Sequence, residues 1–547
     1  MFAAITNEVA AFNNALVKTT TYQQVRSALL ARREVAILDV REEAIFAKSH
    51  PLFAANLSLS KLEMEVYQRI PRRNTFIVVY DDGEGLALKA AKKLIQLGYS
   101  EVNLLEGGLA GWKEAGGELF IDVNAPSKAF GELVESKRHT PMLSAEEVQT
   151  LIDKKANVVI VDARRFDEYN TMNIPGSISV PGAELVLRIR ELAPNPETKV
   201  IVNCAGRTRS IIGTQSLINA GIPNQVVALR NGTIGWTLAG QSLEHGQSRQ
   251  FGEVSPENQK KAISDSRKVA EKAGVEWTDL DAVKHWLTDK NRTTYLFDVR
   301  TPEEFVQGHL PLFRSAPGGQ LVQETDHYAS VRGARIVLAD DQKVRANMTA
   351  SWLAQMGWEV FIVKDVKQEQ FAEKGFASDV SPAFPVVKEG KAISAATLQN
   401  WLKNNIEVIV VDLSASKLFR QKHIPGAWFA IRSDFEKAIG NLPKAGKYVL
   451  TSADGILAKY ALDEFQALTK SEVYVLEGGN KAWADQGNAL EKKADELHFA
   501  SPEIDRYKRP YEGTNNAKEA MEAYLEWEYG LVDQLRKDGT HGFFVIQ

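Results

Sequence analysis

The chain has 547 residues, 44% of them hydrophobic and 25% charged, with a formal net charge of -4 and both signs interspersed. That length exceeds what one hydrophobic core sustains and asks for several domains, while the charge balance offers no footprint for nucleic acid or for an anionic membrane. A single cysteine excludes an intrachain disulfide, and the nine histidines form no cluster at metal-ligand spacing.

The N-terminal stretch MFAAITNEVAAFNNALVK lacks a basic region followed by an unbroken apolar run. No later segment approaches the roughly 20 apolar residues of a membrane span. A cytoplasmic location is expected.

In chain order, an apolar run ending in an acid occurs four times. It reads AILD to Asp39 with Arg41 beyond, VIVD to Asp162 with Arg164 beyond, YLFD to Asp298 with Arg300 beyond, and VIVVD to Asp412 with Ser414 beyond. The spacing, roughly 115 to 135 residues, is that of domains and not of a solenoid. A second apolar run follows each first one: FIVVY before Asp81, VIVN before Cys204, RIVLA before Asp340 and YVLT before Ser452. Both runs are short and β-branched, as parallel strands buried on two faces should be.

Helix-period segments follow, ending near Gly98, Gly221 and Gly357 in the first three repeats, where glycine suits a helix C-terminus. A third strand then closes the pattern in VNLLEGGLAGW, VVALRNGTIGW and VYVLEGGNKAW, whereas VFIVKD in the third repeat lacks the glycines. Four tandem α/β domains are therefore expected, each a mainly parallel sheet with helices on both faces. Their expected limits are 1–128, 129–255, 256–384 and 385–500, with a helical tail over 501–547 that shows no chemistry of its own. Polar linkers are expected around DVNAPSKAFGE, EHGQSRQFGEVSPENQ and SDVSPAFPVVKEG.

Only the second repeat ends its second strand in a cysteine, giving Cys204-Ala205-Gly206-Arg207-Thr208-Arg209-Ser210. A turn from a parallel strand into a helix is where α/β folds place reactive groups, and backbone N–H groups converge there. With Arg207 and Arg209 beside it, Cys204 is expected to ionise below the free value of about 8.5. Asp162 and Arg164 recur in repeats without cysteine, so they are assigned a structural hydrogen-bonding role. The DDGEG stretch from Asp81 to Gly85 lacks the Gly-Lys-Ser/Thr of a phosphate-binding loop and reads as a structural turn.

The DVR-type strand ends, the HIPGA-like element at His423 to Ala427, the strand–cysteine–loop–helix unit and the LEGG…GW closing strand together resemble the rhodanese family over about nine tenths of the chain. The resemblance implies transfer of a sulfane sulfur from a small anionic donor to a thiophilic acceptor by covalent catalysis. By the same resemblance, Cys204 matches the persulfide-forming cysteine and Ala205 to Ser210 the loop that wraps the persulfide, with Arg207 and Arg209 holding the donor. Asp81, Asp340 and Ser452 stand at the cysteine position of the other repeats, which resemble the family's inactive copies. No cofactor or metal is implied. Thiosulfate is the favoured donor because guanidinium forks match an oxyanion, with mercaptopyruvate or a low-molecular-weight persulfide as alternatives. Cyanide, a thiol or a protein would accept the sulfur.

Two rival readings accompany this one. A cysteine phosphatase resembles Cys-x5-Arg, but here Arg209 stands fifth after Cys204 and Ser210 sixth, which leaves the loop one residue short. A non-catalytic scaffold would explain why three repeats lack the nucleophile, and would make Cys204 dispensable. Within the catalytic reading, the first repeat in particular is expected to cover the Cys204 loop.

Overall fold

The computed structural model describes residues 17–376, 385–493 and 495–547. The N-terminal residues 1–16 and most of the third expected linker, 377–384, lie outside the described residues.

Four five-stranded sheets follow one another, and every pair of neighbouring strands in them is parallel. In the second, the order across the sheet is Met142–Leu143, Val226–Leu229, Lys199–Asn203, Val158–Asp162, Ile178–Ser179. The three central strands are those expected from the sequence. Two short edge strands per sheet were not foreseen, because two or three residues leave no period to detect.

Local signals explain the recurrence. The first helix of each repeat is capped by a side chain accepting a backbone N–H: Thr21 from Gln24, Ser144 from Glu147, Asp279 from Ala282 and Ser394 from Thr397. Gly98, Gly221 and Gly357 have φ of +92°, +69° and +79° just beyond their helices, a conformation that costs a side chain dearly. The HIPGA-like element forms a backbone bridge in all four repeats, at His50, Asn173, His309 and His423. It belongs to the fold and not to the cysteine.

One apolar core runs without a break through repeats one, two and three and into the tail residues Leu531, Leu535, Phe543 and Ile546. The fourth repeat keeps two clusters of its own. It is tied to the first through Arg432, buried between Glu63 (2.9 Å) and Glu464 (2.7 Å).

The first expected linker proves to be structured. Residues Ala125–Arg138 form a helix with proline in its first turn, running across the expected boundary at 128/129 and buried from Ala125 to Glu132. Its polar residues are satisfied internally: Lys128 by Asp122 at 2.5 Å and Glu132 by Arg207 at 2.7 Å. Polarity here marks buried ion pairs and not solvent.

Candidate active site at the Cys204 loop

Strand Lys199–Asn203 delivers Cys204 to the loop that opens helix Thr208–Asn219. The Cys204 thiol donates to Ser210 Oγ at 3.4 Å, and that hydroxyl donates to the Arg207 carbonyl at 2.8 Å. The Ser210 backbone N–H also bears on the sulfur.

The closing turn fixes the loop from the other side. Thr233 and Ile234 donate their N–H groups to the Cys204 and Ala205 carbonyls at 2.9 and 3.0 Å. Gly232, at φ +54°, makes this approach feasible, since a Cβ there would stand 2.3 Å from the Cys204 carbonyl oxygen. Gly108 and Gly479 press in the same way on the carbonyls of Asp81 and Ser452, at 2.7 and 2.1 Å from a hypothetical Cβ. The glycines of the closing strand are thus a fitting for the loop, whatever residue the loop carries.

Asp162 and Arg164 lie beneath. Arg164 grips both carboxylate oxygens of Asp162 and donates to the Met172 carbonyl at 2.6 Å, while Asn203 donates to Asp162 at 3.0 Å. Arg41 and Arg300 make the same contacts with Asp39 and Asp298 and reach the Ser49 and Gly308 carbonyls. The geometry is therefore independent of the cysteine.

Both loop arginines, expected to hold the donor, are paired with carboxylates. Arg207 forms a two-pronged pair with Glu132 at 2.7 and 2.8 Å and lies 4.3 Å beneath the Tyr529 ring. Arg209 pairs likewise with Glu168 at 2.7 and 2.8 Å. Burial works against the Glu168 charge, yet Arg209 holds its carboxyl down at about 2. The same pair recurs as Arg345 with Glu304 at 2.6 Å in the third repeat. The first and fourth repeats carry Ile45 with Leu86 and Leu418 with Leu457 at those positions.

Cys204 departs from expectation as well. The sulfur is buried, with 2% of the residue exposed. Burial pushes the thiol above its ordinary value, outweighing Arg209 and the Ser210 hydrogen bonds.

The tail lies over the loop, a neighbour the sequence reading did not assign to it. Helix Lys518–Asp538 lays Tyr524 and Glu528 over Gly206; a Cβ on that glycine would stand 3.0 Å from the Tyr524 ring and 3.2 Å from Glu528 Oε2. Sequence reasoning missed Glu528, Glu132 and Lys128. A signal for Glu528 existed: it occupies the buried stripe Met521, Tyr524, Leu525, Leu531, Leu535 at helical spacing, where an acid is out of place.

Beside Arg209 opens a cleft of about 660 Å³ walled by the second repeat, Asn124, Gln320, Gln323 and Glu324 of the third repeat, Lys417 of the fourth and the tail. Seven Arg and Lys side chains line it against four Asp and Glu, so it is cationic on balance.

The cysteine-free loops show what this position holds. Asp81 accepts the N–H groups of Gly83 and Ala87 at 3.2 and 2.9 Å. Asp340 accepts those of Gln342, Arg345 and Ala346 at 3.1, 2.9 and 3.1 Å. In both repeats the N–H groups of the loop and helix start gather on a built-in anion.

The model of the rhodanese-like domain family matches the chain four times, at residues 21–115, 144–239, 279–365 and 394–486. The chain belongs to the rhodanese family. Among solved rhodanese structures, the chain is similar to that of thiosulfate sulfurtransferase from Pseudomonas aeruginosa. The two are 60% identical over 97% of this chain and 100% of that one, with a TM-score of 0.95. Similarity to the putative sulfur carrier protein YrkF of Bacillus subtilis (strain 168) is 24% identity over 137 residues, 24% of this chain and 72% of that protein. A third relative, the HTH-type transcriptional regulator Rv0324 of Mycobacterium tuberculosis, is 32% identical over 89 residues, 16% of this chain and 38% of that protein. The tail lies beyond all four matched ranges.

Proposed function

We propose that the protein is a sulfurtransferase that carries sulfane sulfur as a persulfide on Cys204, with thiosulfate as donor. The observation that carries this reading is the contrast among the four loops: where Asp81 and Asp340 place a carboxylate among backbone N–H groups, the second repeat places a thiol. A persulfide anion on that thiol would occupy the same kind of cradle. End-to-end similarity to a thiosulfate sulfurtransferase supports the choice of donor.

In the first half-reaction Cys204 forms a bond to the outer sulfur of thiosulfate. The donor's sulfur–sulfur bond breaks, and its electron pair leaves on sulfite. The thiol proton goes with the sulfite as hydrogen sulfite, and the persulfide remains as the anion. A thiophilic acceptor, cyanide or a thiol, small or on a protein, then takes the outer sulfur and restores Cys204. Raising the thiol above its ordinary value favours keeping the proton until a donor arrives. The cationic cleft beside Arg209 concentrates dianions at the site. The lone thiol suits a reducing compartment, and we place the enzyme in the cytoplasm.

The test is the mass of the intact chain before and after incubation with thiosulfate in the absence of acceptor. A gain of one sulfur atom, absent in Cys204→Ser and lost on adding cyanide, is expected. Absence of any gain with thiosulfate, mercaptopyruvate and a low-molecular-weight persulfide in turn would overturn the reading in favour of a scaffold.

A further inference from the structure

Three acids and two bases meet where the tail helix crosses the Cys204 loop. Lys128 is 1% exposed and paired with Asp122. Arg207 is paired on both prongs with Glu132. Both cations thus have their carboxylates, and Glu528, with no exposed surface, is the acid left over. Its Oε1 accepts from the Tyr524 hydroxyl at 2.8 Å. Its Oε2 is buried without a hydrogen-bond partner and lies toward Gly206, 3.2 Å from where a Cβ on that glycine would stand.

An unpaired carboxylate in such surroundings is costly, whereas a neutral carboxyl with one free O–H awaits an acceptor. The groups that face it agree. From the helix that begins at Ala125 come Glu132 and Lys128, from the loop Cys204 and Arg207, from its own helix Tyr524, and behind Tyr524 the Tyr511 ring. Burial first, and the Glu132 charge second, push Glu528 up to about 8, so that it carries its proton at neutral pH.

We propose that Glu528, carried by the tail, is a donor-binding group of the Cys204 site: its neutral carboxyl donates a hydrogen bond to the anion that Cys204 attacks, and its ionised form repels that anion. The proposal rests on the sulfurtransferase reading for the identity of the anion, and on the loop geometry for the rest. It gives the tail a chemical task that no rhodanese-like repeat of this chain performs. It also explains the glycine at 206, since any side chain there would stand between the carboxyl and the loop.

The experiment follows sulfur loading of Cys204 from thiosulfate by intact mass from pH 6 to 9.5, in the parent chain, Glu528→Gln and Glu528→Ala. In the parent, loading holds its level up to about pH 8, the thiol keeping its proton until the donor arrives, and falls above it, when Glu528 becomes an anion. Glu528→Gln keeps an N–H donor but cannot ionise, so the alkaline fall disappears. Glu528→Ala loses the donor too, and its loading at pH 7 drops about tenfold or more, the worth of a hydrogen bond to a charged group. An alkaline fall that persists unchanged in Glu528→Gln overturns the proposal. A merely structural role would lower the melting temperature and leave the shape of the pH profile alone. If the parent takes no sulfur from thiosulfate, the choice of donor fails separately. Glu528 is then judged by alkylation of Cys204 with anionic iodoacetate and neutral iodoacetamide. The ratio of the two rates falls above about pH 8 in the parent and not in Glu528→Gln; a ratio that behaves alike in both overturns the proposal.

Discussion

Cys204 and Gly232 show how much of the site depends on single atoms. The turn through Gly232 comes so close to the Cys204 carbonyl that one added methyl group would have to displace backbone, at a φ of +54° that a side chain already resists. Gly232→Ala is therefore expected to destabilise the chain by about 1–3 kcal/mol and to slow sulfur loading more than tenfold, because the turn holds the very carbonyl on which the nucleophile sits. Calorimetry and the loading assay check the two effects separately. The cysteine and its loop were legible in the sequence because they are contiguous, and so were Asp162 and Arg164, two residues apart. The partners of the arginines were not. Glu132 and Glu168 lie 75 and 41 positions away on other elements, and nothing in N-C-A-G-R-T-R-S distinguishes a free guanidinium from a paired one. The raised thiol has the same origin: Tyr524 and Glu528, which lie over the loop, are encoded more than 300 positions later.

Among elements, the central strands of each repeat announced themselves because continuous β-branched runs between turn residues have one reading at that length. The helix at Ala125–Arg138 did not, since it is polar enough to pass for a linker, whereas the tail helix was legible from its amphipathic spacing and the loop it covers was not. The tail is held by Leu531, which has no exposed surface, and by Leu535 at 2%. Leu531→Ala should cost about 2–5 kcal/mol of docking, enough for the tail to lift without the domains unfolding. The expected outcome is faster alkylation of Cys204 by iodoacetamide with unchanged helix content by circular dichroism. Equal rates in parent and variant would mean that the tail does not limit access.

At the level of the whole molecule, the fourth repeat stands apart from the core shared by the other three and the tail. Its link to the first runs through a buried ion cluster of Arg432, Glu63, Glu464 and Lys93. Burying charges does little for stability while all are paired, but removing one partner strands the others. Arg432→Ala is expected to cost about 3–5 kcal/mol and to split thermal unfolding into two steps, the fourth repeat melting first. A single transition, shifted as a whole, would show that other contacts dominate that junction. Tandem organisation was readable from the four acid-ended strands, whereas which repeats share a core was not, since contacts between repeats obey no sequence period.

The covering of Cys204 by residues near 524 and 528 also sets an order of events in the making of the protein. Cys204 is translated about 310 residues before the tail helix, and at 5–20 residues per second that is a delay of roughly 15–60 s. Once the second repeat is complete, a newborn chain carries its nucleophile with neither Tyr524 nor Glu528 yet made. The enzyme is thus made nucleophile first and cover last.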